Sequence, residues 1–185
     1  IIGLLVCMIF ISHWMIMYNG STNYPYLEDD DPWAHASASK YVTIFGTYTV
    51  QDSLVENRFS PYLEPYPPTY DVIMGVMHQT NFSINTTIKL FNSLIISLSL
   101  LFFYIFVTRL FNKYVALTST FILAILPSYM THFIWSHSLA VTLIFPALYC
   151  VIKSLEDDKW IMPGIICVAS VMVSHPMVSF LFGLL

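Results

Sequence analysis

Residues 88–111, IKLFNSLIISLSLLFFYIFVTRLF, are apolar throughout except for a few small polar side chains, and carry charge only at Lys89 and Arg109. A hydrocarbon core about 30 Å thick needs about 20 apolar residues of helix, which is the length of this run. Working outward, comparable blocks lie at 1–18, 114–127, 139–153 and 160–185. The expectation is an all-α, polytopic transmembrane helical bundle of five spans, with one long outer loop over 19–87. Composition points the same way: 57% of the residues are hydrophobic and 10% charged, against about 25% charged in soluble domains. The chain starts Ile1-Ile2-Gly3 without an initiator Met and stops at Leu184-Leu185 inside an apolar run, so both ends read as truncations. The first block lacks the basic flank and small-residue cleavage site of a signal peptide, which favours a retained helix.

The net charge of −4 and the absence of a basic cluster exclude a nucleic-acid partner. Cys7, Cys150 and Cys167 lie in apolar blocks without CxxC spacing and read as small buried hydrophobes. Residues 22–68 differ from everything around them, with Glu28, Asp29, Asp30, Asp31, Lys40, Asp52, Glu56, Arg58, Glu64 and six prolines. Within this loop, Pro32 suits the first turn of a helix, and 33–48 mixes apolar and small polar residues as an interfacial helix does. Pro67-Pro68 punctuates the loop before a second short helix over 69–78, too short to cross a bilayer. Arg109 with Lys113, and Lys153 with Lys159, fall on one side under alternation of spans, which makes that side cytoplasmic. The long loop, the patch from Pro127 to His137 and the sequons at Asn19, Asn81 and Asn85 then lie outside.

Several residues are candidates for chemistry. The run Glu28-Asp29-Asp30-Asp31 is either a solvated charge run or part of a divalent metal site, since Mg²⁺ and Mn²⁺ take carboxylate oxygens and leave positions for phosphate oxygens. His175, next to Pro176 in an apolar block, is either a packed residue at a proline kink or a contact to lipid phosphate. Arg58 is the only arginine in the outer loop; its guanidinium fits phosphate, though a lone loop arginine is also an ordinary surface residue. The aromatic stretch over 62–70 suits sugar rings and also suits any membrane interface.

Asp31-Pro32-Trp33, followed by Ala36-Ser37-Ala38-Ser39-Lys40-Tyr41-Val42, resembles the first outer loop of oligosaccharyltransferase catalytic subunits. Tyr66-Pro67-Pro68 before a short helix, Leu126-Pro127-Ser128-Tyr129, and Ser174-His175-Pro176 fall in the order of further motifs of that family. The resemblance implies a GT-C type membrane glycosyltransferase. Such an enzyme takes a sugar or glycan from a polyprenyl-phosphate or pyrophosphate donor at the outer face, with a polypeptide as possible acceptor. It implies Asp31 as the acid that ligates Mn²⁺ or Mg²⁺ and serves catalysis, with Asp29 and Asp30 as neighbours and Trp33 in the same motif as a substrate-binding candidate. The second outer loop departs from the family: where an acidic motif is expected, the chain reads Ser136-His137-Ser138-Leu139-Ala140-Val141, and no carboxylate occurs over 114–155. Either His137 takes a metal ligand's place, or the chain works without metal, or it is not a transferase of that mechanism. A protein O-mannosyltransferase relative, a transporter and a non-catalytic scaffold are the alternatives.

Overall fold

The computed structural model describes residues 1–27, 29–49, 66–79, 83–130 and 136–184; Arg58 and the sequon at Asn81 lie outside the described residues. The described residues form helices α1 (Ile2–Thr22), α2 (Asp30–Phe45), α3 (Thr69–His78), α4 (Ile84–Leu110), α5 (Lys113–Ile125), α6 (Ser136–Ser154), α7 (Ile161–Met172) and α8 (Pro176–Phe182), and no strand. Three of them, α1, α4 and α6, are long and apolar enough to cross a membrane.

The long helices start or stop beyond the apolar blocks for local reasons. α1 runs past Tyr18 because Ser21 and Thr22 donate their hydroxyls to the Tyr18 carbonyl at 2.8 and 3.0 Å, so the last turn's acceptors are satisfied from within. α4 begins at Ile84 rather than Ile88 because the Ser83 hydroxyl caps it, accepting from the Thr86 N–H at 3.2 Å. α5 is capped by Asn112, whose Oδ1 accepts from Tyr114 and Val115 N–H, both at 3.0 Å. It has 13 residues, about 20 Å of helix, and so falls short of the span expected over 114–127. Pro127 ends it by forcing Leu126 into an extended conformation.

The last block, expected as one span over 160–185, is two helices. Pro176 has no N–H to continue α7, and the residue before a proline is pushed out of the helical region; His175 stands at φ −157° and ψ 127°. His175 is therefore not a mid-helix residue at a kink but the N-cap of α8.

The helix over 33–48 in the outer loop starts earlier and ends earlier than expected. Asp29 caps α2, Asp30 and Asp31 sit in its first turn, where the helix dipole favours acids, and Pro32 occupies a position whose N–H is not needed. Gly46 closes it in the left-handed region at φ 66°. α3 has the expected bounds. The two short helices pack closely because Gly75 lets them: a methyl there would lie 2.8 Å from the Ser39 carbonyl oxygen and 2.9 Å from the Val42 side chain. The Thr43 hydroxyl, 2.9 Å from the Gly75 carbonyl, ties the same crossing. Gly75→Ala should therefore lower the thermal midpoint, by a crowding cost of about 1–3 kcal/mol less about 1 kcal/mol of helix propensity. Gly164→Ala, whose added methyl would meet only Cys150 at 3.7 Å, should leave the midpoint unchanged or raise it. Equal loss in both variants, read by thermal unfolding in detergent, would contradict this account of the α2–α3 contact.

α4 is the central element, touching α1, α2, α3, α5 and α6. Its buried face carries Asn92, Ser93, Ser97 and Ser99, small polar residues that let neighbouring helices approach and hydrogen-bond. His13 of α1 lies 2.8 Å from the Ser97 hydroxyl, and Thr142 of α6 donates to the Ile95 carbonyl at 3.0 Å. The ion pair between Arg109 of α4 and Glu156 brings the ends of α4 and α6 to one level. At the opposite end, α2 and α3 cover a core of Leu27, Ala36, Tyr70, Met74, Ile88 and Leu139.

Candidate functional site

Under the α2–α3 pair, the chain gathers histidines, tyrosines and one acid that are far apart in sequence. Buried positions in α2 include Pro32, His35, Ala36, Ser39 and Val42, a helical stripe that places the imidazole of His35 inward. α3 buries Tyr70 and Asp71 on its inner side. His35 Nδ1 and Asp71 Oδ1 stand 2.8 Å apart, with side-chain exposures of 0% and 3%. The Ser136 N–H at the start of α6 points at His35 Nε2 from 3.4 Å, which makes Nε2 the acceptor and Nδ1–H the donor to Asp71. A neutral imidazole thus bridges α3 and α6. Burial raises the Asp71 carboxyl above its ordinary 3.8, and the hydrogen bond from His35 opposes that only in part. Tyr70 packs edge-on against His35 at 4.9 Å and donates to Asn92 Oδ1 at 3.0 Å. Burial, reinforced by the Asp71 charge, pushes its phenol well above the usual range.

A second layer joins this pair to the α7–α8 break. Tyr66 lies 5.7 Å from the His35 ring and stacks on His175 at 5.3 Å, and His175 meets His137 edge-on at 6.0 Å. The Thr69 hydroxyl donates to the Val173 carbonyl at 2.9 Å, stapling the start of α3 to the break. His175 Nδ1 accepts from the Val178 N–H at 3.4 Å, which makes Nε2 the protonated nitrogen of the neutral ring. His35 has both ring nitrogens engaged and so orients its neighbours, whereas His137 and His175 are only partly buried and stand side by side. Two adjacent imidazoles with an aromatic wall can hold an anionic oxygen and move a proton.

Of the sequence candidates, His137 and His175 are brought together by the packing of α6 on α7. Asp29, Asp30 and Asp31 are not drawn into that cluster as ligands. The Asp29 carboxylate accepts from the Asp30 N–H at 2.8 Å, Asp30 is exposed and Asp31 half-buried. Trp33 is 44% exposed on the outer side of α2. Among the described residues, no group of three or more His, Cys, Asp or Glu side chains is placed to hold a metal ion. These residues do not fit the Mn²⁺ or Mg²⁺ that the resemblance implies, because the acids spread around a helical turn and His137 belongs to a different group.

His35 and Asp71 were not among the sequence candidates, and Tyr70 was one only as the end of the aromatic stretch over 62–70. The only signal for them was helical spacing within two short helices, which marks a buried face but does not pair residues across the loop. Tyr129, of the Leu126-Pro127-Ser128-Tyr129 motif, lies elsewhere: its hydroxyl meets that of Ser99, and burial pushes its phenol to about 12. The chain matches no family model, no curated protein and no solved structure.

Proposed function

We propose that this chain is the membrane-embedded part of a GT-C-like, multi-pass transferase that moves a sugar or glycan from a polyprenyl-phosphate or pyrophosphate donor, with its site on the outer face. One observation carries the reading. The helix opened by Asp31-Pro32-Trp33 and the helix preceded by Tyr66-Pro67-Pro68 are clamped together, through His35 and Asp71, over the end of the long helices opposite Arg109, Lys113, Lys153 and Lys159. The apolar flanks of α1, α5 and α7, with Leu4, Met8, Phe121, Ile122, Ile165 and Ile166 exposed, favour lipid as their solvent. Arg109, Lys113, Lys153 and Lys159 favour a cytoplasmic location for the far end.

In this reading the acceptor nucleophile attacks the sugar's anomeric carbon, the bond from that carbon to the phosphate oxygen breaks, and the phosphate leaves with the electron pair. Asp31, half-buried in a first turn, takes the acceptor's hydrogen bond and its proton. In the same reading His137 and His175 are assigned the charge that develops on the leaving phosphate, where a fixed donor lowers the barrier. The partners are a lipid-linked donor and a polypeptide or other hydroxyl- or amide-bearing acceptor. A second reading, a non-catalytic membrane scaffold, has the carboxylate-free stretch over 114–155 in its favour.

Two measurements test the proposal. Thr47→Cys, at an exposed position just after α2, should react with an impermeant maleimide added outside intact cells. Labelling only after permeabilisation would reverse the topology. Membranes holding the full-length protein should transfer label from a synthetic polyprenyl-phosphate sugar to a peptide acceptor, and no transfer above protein-free membranes would leave the scaffold reading.

A further inference from the structure

At the end of the bundle opposite the histidine cluster, a cleft of about 310 Å³ opens between α4 and α6, lined by Tyr104, Ile105, Thr108, Arg109 and Tyr149. Its level relative to a membrane follows from its neighbours. Tyr149 meets Trp160 edge-on at 5.5 Å, and such amphipathic rings settle at the headgroup layer. Arg109 and Lys153 both pair with Glu156, Lys153 at 3.2 Å, so two cations share one carboxylate. Arg109 Nε–H is buried without a partner, although the other side of the guanidinium reaches Glu156. A buried unpaired donor costs about 1–3 kcal/mol, and the loss is greater for a charged group. The Thr108 hydroxyl is turned back onto the Tyr104 carbonyl at 2.7 Å and offers nothing to the cleft. Ile105, 47% exposed, forms its apolar wall.

From these contacts we infer that the cleft binds the phosphate of an anionic phospholipid at the cytoplasmic rim. A phosphate oxygen accepts from the Arg109 guanidinium, whose side chain is 33% exposed and which turns toward the cleft to give its buried Nε–H a partner; the residual positive charge of the Arg109–Lys153–Glu156 group balances the phosphate, and the tyrosine rings and Ile105 receive the glycerol and upper acyl chain. A planar guanidinium with several donors suits phosphate better than an ammonium does. The inference rests on the reading that α4 and α6 span the membrane, and not on the transferase reading. A soluble phosphate has the same anionic chemistry; the apolar wall favours the lipid.

Full-length protein in neutral detergent, with phosphatidylglycerol, phosphatidylcholine or inorganic phosphate added and bound species counted by native mass spectrometry, tests this. Phosphatidylglycerol should be retained, phosphatidylcholine should not, and inorganic phosphate should fail to displace the lipid. Arg109→Gln should weaken retention about tenfold, a change of about 1.4 kcal/mol. Arg109→Lys, which keeps the charge but loses the planar donor edge, should weaken it as well, with an unfolding midpoint close to that of the parent. Glu156→Gln, which removes the competing carboxylate, should strengthen it. Undiminished retention in either Arg109 variant, equal binding of phosphatidylcholine, or displacement by inorganic phosphate overturns the inference. Release of the parent protein from membranes by alkaline carbonate would instead overturn the spanning reading beneath it.

Discussion

Asp71→Ala should destabilise the protein by about 3 kcal/mol, because it strands the His35 Nδ1–H of a side chain with 0% exposure and no other acceptor described for it. Asp71→Asn keeps an oxygen facing that N–H and should cost less than about 1 kcal/mol. The two variants together separate loss of the contact from loss of the charge, and equal midpoints for them in detergent unfolding would remove the hydrogen bond from the account. Their pH dependence has a definite sign. The folded-state carboxyl lies above its ordinary 3.8 because burial penalises the ionised form. Its contribution to stability is therefore fully present below 3.8 and is lost as the pH rises through the higher folded value. The parent should gain on Asp71→Asn as the pH is lowered from neutral towards that range, with His35 and Tyr70 the titratable groups facing the carboxyl. A parent that instead loses ground to Asp71→Asn in acid would show that His35 outweighs burial.

Asp31→Ala should lower transfer on the order of a hundredfold, at the low end of what a positioned general base contributes. Membrane insertion should be unchanged, because Asp31 is only half-buried and Asp29 still caps α2. Asp30→Ala should do less. Asp29→Ala should cost about 0.5–2 kcal/mol of stability through the lost cap while also affecting transfer less than Asp31→Ala. The measurement is turnover of a synthetic polyprenyl-phosphate sugar by the full-length protein. Unchanged turnover in the Asp31 variant would remove the α2 acids from the site. Repeating the assay in a chelator and then with added Mn²⁺ or Mg²⁺ tests the ion separately.

The two short helices α2 and α3 were legible in the sequence because their signals are local. Pro67-Pro68 sets the start of α3, and an Asp run ahead of Pro32 sets that of α2. The apolar blocks identify α1, α4 and α6 for the same reason: a run of that length has few alternatives to a long buried or lipid-facing helix. The broken last block was half legible, since Pro176 announces a disturbance, but whether a proline kinks a helix or splits it depends on what satisfies the freed groups. Here the Thr69 hydroxyl takes the Val173 carbonyl and the His175 imidazole takes the Val178 N–H, so the chain can open fully. The His35–Asp71 pair was not legible, because the loop between its members carries no periodic signal that fixes how α3 lies on α2. His137 and His175 could each be singled out, but their adjacency is a product of how α6 and α7 pack.

The contact from Ser136 to His35 also sets an order of events during synthesis. The donor and the acceptor are 101 residues apart, so at about 5–20 residues per second the imidazole waits about 5–20 s on the ribosome's schedule before its partner exists. Until then the two short helices have Asp71 to hold His35 but nothing from α6 to close over them. When Ser136 arrives it finds a ring already turned to receive it, so the first turn of α6 is shaped by a residue made long before it.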